Sequence, residues 1–192
     1  MKGDQIFNVY QDSEEDEWIL TDKGVSIIGK KTLDTDFPFQ FITQIKESIY
    51  LIAENDKLAR YDFHTKKLKF VDIPYPHDKI NNVTTIGKDM LALGTDNGLI
   101  LYSILQNSFQ QIDIRTATQT SNFVESVYQD RQGEIWIFSK DPGIVRLNLA
   151  TNEKEHLFTP KDEIIKHGRK SRKLIFEDNA NNCLLYTSPS PR

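Results

Sequence analysis

The clearest pattern in the chain is a set of short apolar runs, each bounded by turn residues, within residues 124–158. The run 135–138 is apolar without alternation, which predicts a strand covered on both faces. Asp130 and Gly133 precede it, and these residue types favour turns because aspartate hydrogen-bonds to nearby backbone and glycine tolerates positive φ. Further turn residues lie at 141–143 and 151–152. The segment therefore predicts a meander of four short antiparallel strands.

The same pattern occurs three times before this segment and begins again after it. Tyr10-Gln11-Asp12 corresponds to Tyr128-Gln129-Asp130, and Trp18-Ile19 corresponds to Trp136-Ile137. In the second and third copies, Tyr50 and Leu91 are assigned to the tryptophan position. The landmarks at 18, 50, 91 and 136 are then 32, 41 and 45 residues apart. Four strands per copy at a variable spacing of roughly 30 to 50 residues are typical of propeller blades and not of helical solenoids.

We therefore predict an all-β fold, namely a partial, open β-propeller of about four four-stranded antiparallel blades that is truncated within a fifth. The blades are predicted around residues 5–29, 41–71, 83–112 and 123–158, with a partial copy at 173–182. Residues 1–182 would form the incomplete propeller. The last ten residues, 183–192, do not continue the repeat and are similar to translated sequencing-adapter text, so we expect a non-native tail. The alternative for these residues is a Ser/Pro-rich linker.

Composition places the chain among ordinary globular proteins. Of its 192 residues, 38% are hydrophobic and 27% are charged, and the net charge of -4 argues against a nucleic-acid partner. No apolar run approaches the ~18 residues of a membrane span, and no signal peptide is visible, so we expect no membrane contact within this chain. The single cysteine, Cys183, excludes an internal disulfide.

Two clusters have the residue types of a binding site, and for each we favour a structural role. Trp18, Tyr50 and Trp136 are of the type that stacks on sugars, but their position inside apolar strands favours packing between blades. Residues 12–16 are rich in oxygen ligands, yet a calcium loop of the familiar kind requires glycine where Glu17 stands. We therefore expect a solvated turn at residues 12–16.

Motifs of catalysis, metal binding or phosphate binding are not found in the sequence. The four histidines have neither metalloprotease spacing nor a nearby cysteine pair, and we expect them in loops or at strand edges: His64, His77, His156 and His167. Neither a Gly-x-Ser-x-Gly elbow nor a glycine-rich phosphate loop is present. We therefore predict no catalytic residue, no cofactor and no metal site.

A basic stretch lies in the last connection between blades. Its cationic side chains could bind an acidic sugar, a phosphate or a partner surface, but a solvated connector is the simpler interpretation: Lys166, His167, Arg169, Lys170, Arg172 and Lys173. Asn82-Val83-Thr84 forms a glycosylation sequon, and a three-residue pattern of this kind carries little weight by itself.

The order of residues in each copy resembles the two-component regulator propeller repeat. The resemblance rests on Tyr128-Gln129-Asp130, Trp136-Ile137, Gly143 and Arg146-Leu147-Asn148. Copy two lacks the glycine and copy three lacks the aromatic residue. Other propeller families fit less well, because Trp18 and Trp136 are followed by isoleucine where WD repeats have aspartate, and the paired glycines of kelch repeats are missing.

The resemblance implies a fragment of the periplasmic sensor of a hybrid two-component histidine kinase regulator. It implies recognition of oligosaccharides without turnover, a homodimeric parent, and kinase activity outside these residues. The alternative is a stand-alone propeller that serves as a binding or scaffold module, and an enzyme built on a propeller ranks third. Ligand contacts in such folds come from loops, so we expect them in the inter-blade loops and in turns such as residues 96–98 and 141–143.

Overall fold

In a computed structural model, the described residues are 5–30, 33, 35, 38–117, 120–139 and 144–157, together with the backbone of 173–177 and 183–187. Every regular element in this part of the chain is a β-strand. The first sheet contains β1 (Ile6–Gln11), β2 (Glu17–Thr21) and β3 (Gly24–Ile27). The second contains β4 (Phe39–Ile45), β5 (Ser48–Ala53), β6 (Leu58–Asp62) and β7 (Lys67–Val71).

Two further complete sheets and a hairpin follow. The third sheet contains β8 (Ile80–Ile86), β9 (Met90–Thr95), β10 (Gly98–Ser103) and β11 (Ser108–Ile112). The fourth contains β12 (Val124–Gln129), β13 (Ile135–Ser139), β14 (Ile144–Leu147) and β15 (Lys154–His156). The hairpin pairs β16 (Lys173–Glu177) with β17 (Cys183–Thr187).

Each sheet is an antiparallel meander in chain order, which confirms the predicted all-β partial propeller. We call the four sheets blades 1 to 4. At the place of the fourth strand in blade 1, the described residues form a bridge in which the Leu33 amide donates to the Val25 carbonyl at 3.0 Å. The first strands of the blades, β1, β4, β8 and β12, contact one another in that order and therefore surround a common axis.

The hydrophobic core lies between blades and not within one. Trp18 and Leu20 of blade 1 pack against Ile49 and Leu51 of blade 2. Tyr50 of the same strand faces the other way, into a second cluster shared with blade 3. A third cluster joins blades 3 and 4. Because alternate residues of a strand face opposite neighbours, β5 is buried throughout and β9 is buried at every residue except its first, as their apolar runs predict.

A β-bulge occurs at the same place in the first strand of every blade. The register shifts between Ile6 and Asn8, and the equivalent shifts lie between Phe39 and Phe41, Ile80 and Asn82, and Val124 and Ser126. One residue of each strand is therefore left without a partner on the second strand. The bulges also lengthen the first strands, so β4 and β8 begin two and three residues before the predicted blade boundaries.

The bulges correct the assignment of Leu91 to the tryptophan position. Trp18 lies three residues before Thr21, the residue paired across the bulge in blade 1. In blade 3 the residue paired across the bulge is Thr95, and the residue three positions before it is Ala92. Leu91 faces blade 2 and Ala92 faces blade 4, so the sequence alignment was wrong by one residue. A slip of one residue moves a side chain to the opposite face of a strand.

The predicted boundary at residue 183 lies within the last hairpin, at the first residue of β17. In this hairpin Lys173 pairs with Thr187 and Glu177 pairs with Cys183. The non-native origin of residues 183–192 stays a prediction.

Candidate functional site

The turns of each meander alternate between the two ends of its strands. The connection from the second to the third strand therefore lies at the same end as the loop that leads to the next blade. We call this end the loop face and define it by residues 22–23, 54–57, 72–79, 96–97, 113–117 and 120–123. The opposite end, which we call the turn face, contains residues 12–16 and 28–30 and their equivalents.

Aspartates tie the turns of the loop face to the entering strands. In blade 3, the Asp78 and Lys79 amides donate to Asp96 Oδ1 at 2.9 and 3.0 Å, and the Asp96 amide donates to the Lys79 carbonyl at 3.1 Å. In blade 1, Gln5 and Asp22 form the same reciprocal pair. These carboxylates are therefore structural.

Blade 2 lacks half of this arrangement for a covalent reason. Pro38 stands at the entering position and has no amide hydrogen to donate. Among the described residues, the bond from the Glu54 amide to the Pro38 carbonyl forms, at 3.0 Å. Blade 2 therefore keeps the bond to the entering carbonyl and has none from the nitrogen of Pro38.

Asparagines join blades 3 and 4 on the loop face. The Asn122 carbonyl accepts a bond from the Gly98 amide at 2.6 Å, and Asn122 Nδ2 donates to Asn97 Oδ1 at 3.2 Å. Asn97 Nδ2 donates to the Pro76 carbonyl at 3.3 Å. Residues 96–98, predicted as part of a ligand site, therefore brace the loops, and any contact of theirs with a ligand stays a prediction. Residues 141–143 lie outside the described residues.

The described histidines lie where the sequence predicted, in loops and at a strand edge. His77 lies on the loop face, with Nδ1 2.8 Å from the Tyr75 carbonyl and Nε2 3.4 Å from the Asp56 carbonyl. His64 is exposed in a turn, 3.4 Å from Glu47, and His156 is on the outer strand β15. Within the described residues, no three His, Cys, Asp or Glu side chains are grouped so as to hold a metal ion.

Two of the three aromatic residues, Trp18 and Tyr50, pack between blades, as predicted. Trp18 is 1% exposed and meets Tyr61 of blade 2 edge-on at 5.2 Å between ring centroids. Tyr50 is fully buried and meets Tyr102 of blade 3 at 6.3 Å. Trp136 is half-buried. Trp18 and Tyr50 therefore offer no ring face to a sugar.

Asp12 corrects the expectation of a solvated turn at residues 12–16. It is 6% exposed, and its Oδ2 accepts a bond from the Trp18 indole nitrogen at 2.7 Å. Its Oδ1 accepts the backbone amides of Glu14 and Asp16 at 2.8 and 2.9 Å. The turn is solvated only at its rim, where residues 13–15 are exposed.

Blade 4 repeats this bond. Asp130 Oδ2 accepts the Trp136 indole at 2.7 Å and Oδ1 accepts the Glu134 amide at 2.8 Å. The spacing of six residues from aspartate to tryptophan, present in both copies, was the signal that the sequence contained for this contact.

A pocket on the turn face between blades 1 and 2 is too small for a sugar. It is lined by Glu14, Asp16, Trp18, Ile27, Lys30, Tyr61, Phe63 and Lys66. Its cavity volume of about 10 Å³ leaves room for a single water. Lys30 fills the acidic side by pairing with Asp16, which raises the pKa of the lysine.

Two further sequence candidates are the basic stretch and the glycosylation sequon. In the basic stretch, residues 166–172 are outside the described residues, and Lys173 is described only as backbone in β16. Asn82 of the sequon is half-buried, and its Oδ1 accepts the Val127 amide of blade 4 at 3.2 Å. The asparagine therefore serves as an inter-blade contact.

Comparison with known proteins confirms the resemblance to the regulator repeat. Residues 118–141 match the family described as "Two component regulator propeller". The match covers the end of the third inter-blade loop and the first two strands of blade 4. No curated protein matches the chain in sequence.

Solved structures share the fold. The extracellular domain of a putative hybrid two component system from B. thetaiotaomicron has a TM-score of 0.73 and 14% identity, over 99% of this chain and 28% of that one. The extracellular domain of a putative one component system from the same organism has a TM-score of 0.61 and 18% identity, over 96% and 31%. Virginiamycin B lyase from Staphylococcus aureus has a TM-score of 0.66 and 13% identity, over 95% and 70%.

This chain therefore spans less than one third of each of these two extracellular domains. The described part of the chain contains no helix with the length and apolar character that crossing a bilayer requires.

Proposed function

We propose that the chain is a segment of the periplasmic sensor domain of a hybrid two-component regulator and that the whole domain binds an oligosaccharide without converting it. One observation carries the proposal. A two-component regulator propeller repeat occurs in a chain whose fold matches the extracellular domain of a putative hybrid two component system over 99% of its length.

The proposed mechanism is a shift of equilibrium and not a reaction. Sugar binding would favour one conformational or dimeric state of a homodimeric parent, and a kinase outside these residues would respond to that state. The shift can be no larger than the difference in affinity of the sugar for the two states. The loop face supports this role, because backbone and side-chain hydrogen bonds join its turns and loops into one connected surface.

The test is calorimetric titration of the complete extracytoplasmic domain with neutral and acidic oligosaccharides, with chromatography of each sugar afterwards. Saturable binding with the sugar recovered intact is expected. Shortened products would instead indicate an enzyme, a possibility that the shared fold of virginiamycin B lyase keeps open. Absence of binding to any sugar would favour a scaffold module.

A further inference from the structure

The turn between β9 and β10 contains a chemically unstable pair of residues. Asn97-Gly98 is the single Asn-Gly pair in the sequence. In such a pair the glycine nitrogen can attack the side-chain carbonyl of the asparagine, because glycine has no side chain to obstruct the approach. Asparagine is accordingly among the thermolabile residues of proteins. In the structure the asparagine is exposed and the glycine is buried.

The backbone of blade 3 requires the glycine of this pair. Gly98 has a φ of 101°, in a region that residues with a side chain rarely adopt. A Cβ atom at this position would lie 2.7 Å from the Ile112 carbonyl oxygen and 3.1 Å from Asn122 Nδ2. A larger residue would therefore collide with β11 and with the loop that leads to blade 4. The fold retains the unstable pair because it needs the glycine.

Hydrogen bonds hold Asn97 in place on every side. Its amide donates to Thr95 Oγ1 at 3.1 Å, and its carbonyl accepts a bond from Gln111 Nε2 at 2.7 Å. Its side-chain Nδ2 donates to the Pro76 carbonyl at 3.3 Å, and its Oδ1 accepts a bond from Asn122 Nδ2 at 3.2 Å. The side chain is therefore fixed between the loops that enter and leave blade 3.

The attacking nitrogen is also held, by the loop that leads to blade 4. The Gly98 amide donates to the Asn122 carbonyl at 2.6 Å. Asn122 is itself fixed, because its Oδ1 accepts the Ile114 amide at 2.9 Å. Attack requires a base to remove the amide proton of the glycine, and the Asn122 carbonyl occupies that proton. As in amide hydrogen exchange, reaction requires a local opening of the structure.

We infer that Asn97 is a deamidation site that the contact between blades 3 and 4 protects, so that it reacts when this contact opens. The Gly98 nitrogen then bonds to the side-chain carbonyl carbon of Asn97. The side-chain nitrogen takes up the proton of Gly98 and leaves as ammonia, and a cyclic succinimide remains. Water opens this ring to aspartate or isoaspartate, with no change of oxidation state. The inference is independent of the proposed function.

Both products weaken the loop face. An aspartate at position 97 has no Nδ2 hydrogen to donate to the Pro76 carbonyl, and it places a second negative charge beside Asp96. An isoaspartate adds one methylene to the backbone of the turn and displaces Gly98 from the Asn122 carbonyl. We therefore expect deamidated chains to unfold at a lower temperature than intact chains.

The test measures deamidation of the full chain at one mildly alkaline pH, with and without urea, by peptide mapping and mass spectrometry. In urea, Asn97 should react faster than every other asparagine. Without urea it should react at least about tenfold more slowly, because the closed contact protects it. Asn122→Ala should accelerate the reaction of the folded chain about tenfold, since it removes the bonds to Asn97 Oδ1 and from the Ile114 amide.

Gln129→Ala is the matched control. Gln129 Oε1 accepts the Gly87 amide at 2.7 Å, so this side chain joins the same two blades at the opposite, turn face. The variant should leave the rate at Asn97 within about twofold, because the turn at residues 96–97 stays closed. Thermal unfolding shows whether each variant is folded, and the comparison of wild type with and without urea requires no variant.

The outcomes are distinguishable from those of the sugar titration. Equal rates at Asn97 with and without urea would show that the contact gives no protection and would overturn the inference. Equal acceleration by the Asn122 and Gln129 variants would overturn the local role of Asn122. A faster reaction of another asparagine in urea would overturn the assignment of the site. None of these results changes the expectation of sugar binding.

Discussion

The hydrogen bond between a turn aspartate and the tryptophan six residues later links the local structure of a blade to the packing between blades. Asp12 fixes its own turn by accepting two amides, and at the same time it fixes the indole of Trp18 within the core between blades 1 and 2. One carboxylate therefore determines both the path of the turn and the orientation of the largest side chain in that core.

We expect Asp12→Ala to lower the free energy of unfolding of the complete propeller by about 2 to 4 kcal/mol. The substitution leaves a buried indole N–H and two turn amides without their acceptor, and hydrogen bonds to charged groups contribute about 1.5 to 3 kcal/mol each. Urea denaturation measures the change. Glu14→Ala, at an exposed site in the same turn, should cost less than about 0.5 kcal/mol. Equal effects of the two variants would show that Asp12 is an ordinary surface residue.

Tyr50 has the opposite character, because its hydroxyl is buried without a hydrogen-bond partner among the described residues. Burial raises the pKa of this phenol to about 12. We expect Tyr50→Phe to be neutral or to stabilise the propeller by up to about 1 kcal/mol. Removing an unpaired buried hydroxyl also removes the free-energy cost of taking that group out of water. Destabilisation by more than about 1 kcal/mol would show that the hydroxyl has a partner, such as a buried water.

The same residue predicts a loss of stability at alkaline pH. The folded pKa of Tyr50, about 12, lies above the ordinary tyrosine pKa of 10.0, so the phenol loses its proton first in the unfolded chain as the pH rises. Its contribution to stability is complete below pH ~10 and decreases between pH ~10 and ~12. Burial also raises the pKa values of Tyr10, Tyr61 and Tyr102. Unfolding curves at several pH values should show a smaller alkaline loss in Tyr50→Phe than in wild type.

At the scale of the element, the hairpin between the third and fourth strands uses one left-handed residue per blade. In blades 3 and 4 this residue is Asn107 or Asn152, with φ of 48° and 59°, and in blade 2 it is Lys66 with φ of 53°. Asparagine tolerates this region better than lysine, because its short polar side chain can hydrogen-bond locally. Blade 2 therefore contains a residue that is less suited to its turn.

We expect Lys66→Asn to stabilise the propeller by about 0.5 to 1 kcal/mol, part of the cost of a left-handed conformation. Thermal unfolding of the complete domain measures the effect. The matched control is Lys67→Asn at the next residue, which is the first of β7, where asparagine is disfavoured. A gain in both variants would indicate a charge effect and not a backbone effect.

The blade pattern was predictable because central strands such as β5 and β13 are apolar on both faces and end at aspartate or glycine turns. The equivalence of Ala92 to the tryptophan position was not predictable. Leu91, Ala92 and Leu93 are all apolar and all buried, so no periodicity shows which side chain points to which neighbouring blade. The bulges were also missed. The extra residues, Phe7, Gln40, Asn81 and Glu125, share neither a residue type nor a glycine that would mark a bulge in the sequence.

At the scale of the molecule, blade 1 has an uncovered side. Ile6 and Val9 are 50% and 59% exposed, whereas the equivalent residues of blade 2, Phe39 and Ile42, are 0% and 8% exposed. The glutamine two residues further along each strand shows the same difference between blades 1 and 2. Gln44 joins blade 2 to blade 1 by accepting the Ser13 amide at 2.9 Å, whereas the equivalent Gln11 is exposed.

We expect the isolated chain to self-associate through this side of blade 1, because it exposes apolar strand surface of the kind that is buried between blades. Val9→Lys should raise the fraction of monomer in sedimentation velocity. Leu105→Lys is the matched control, since Leu105 is 70% exposed in a turn away from that surface. A wild-type chain that is monomeric and melts in one sharp transition would contradict the expectation.

The bulges also contain information about descent. Blades 1 to 4 differ at most positions, yet each has its extra residue at the same point of the first strand, opposite the end of the second. Four separate insertions at one point are less economical than a single insertion in an ancestral blade that was later duplicated. The side chains have diverged since then to phenylalanine, glutamine, asparagine and glutamate, so duplication preserved the backbone geometry while leaving each copy free to acquire its own surface chemistry.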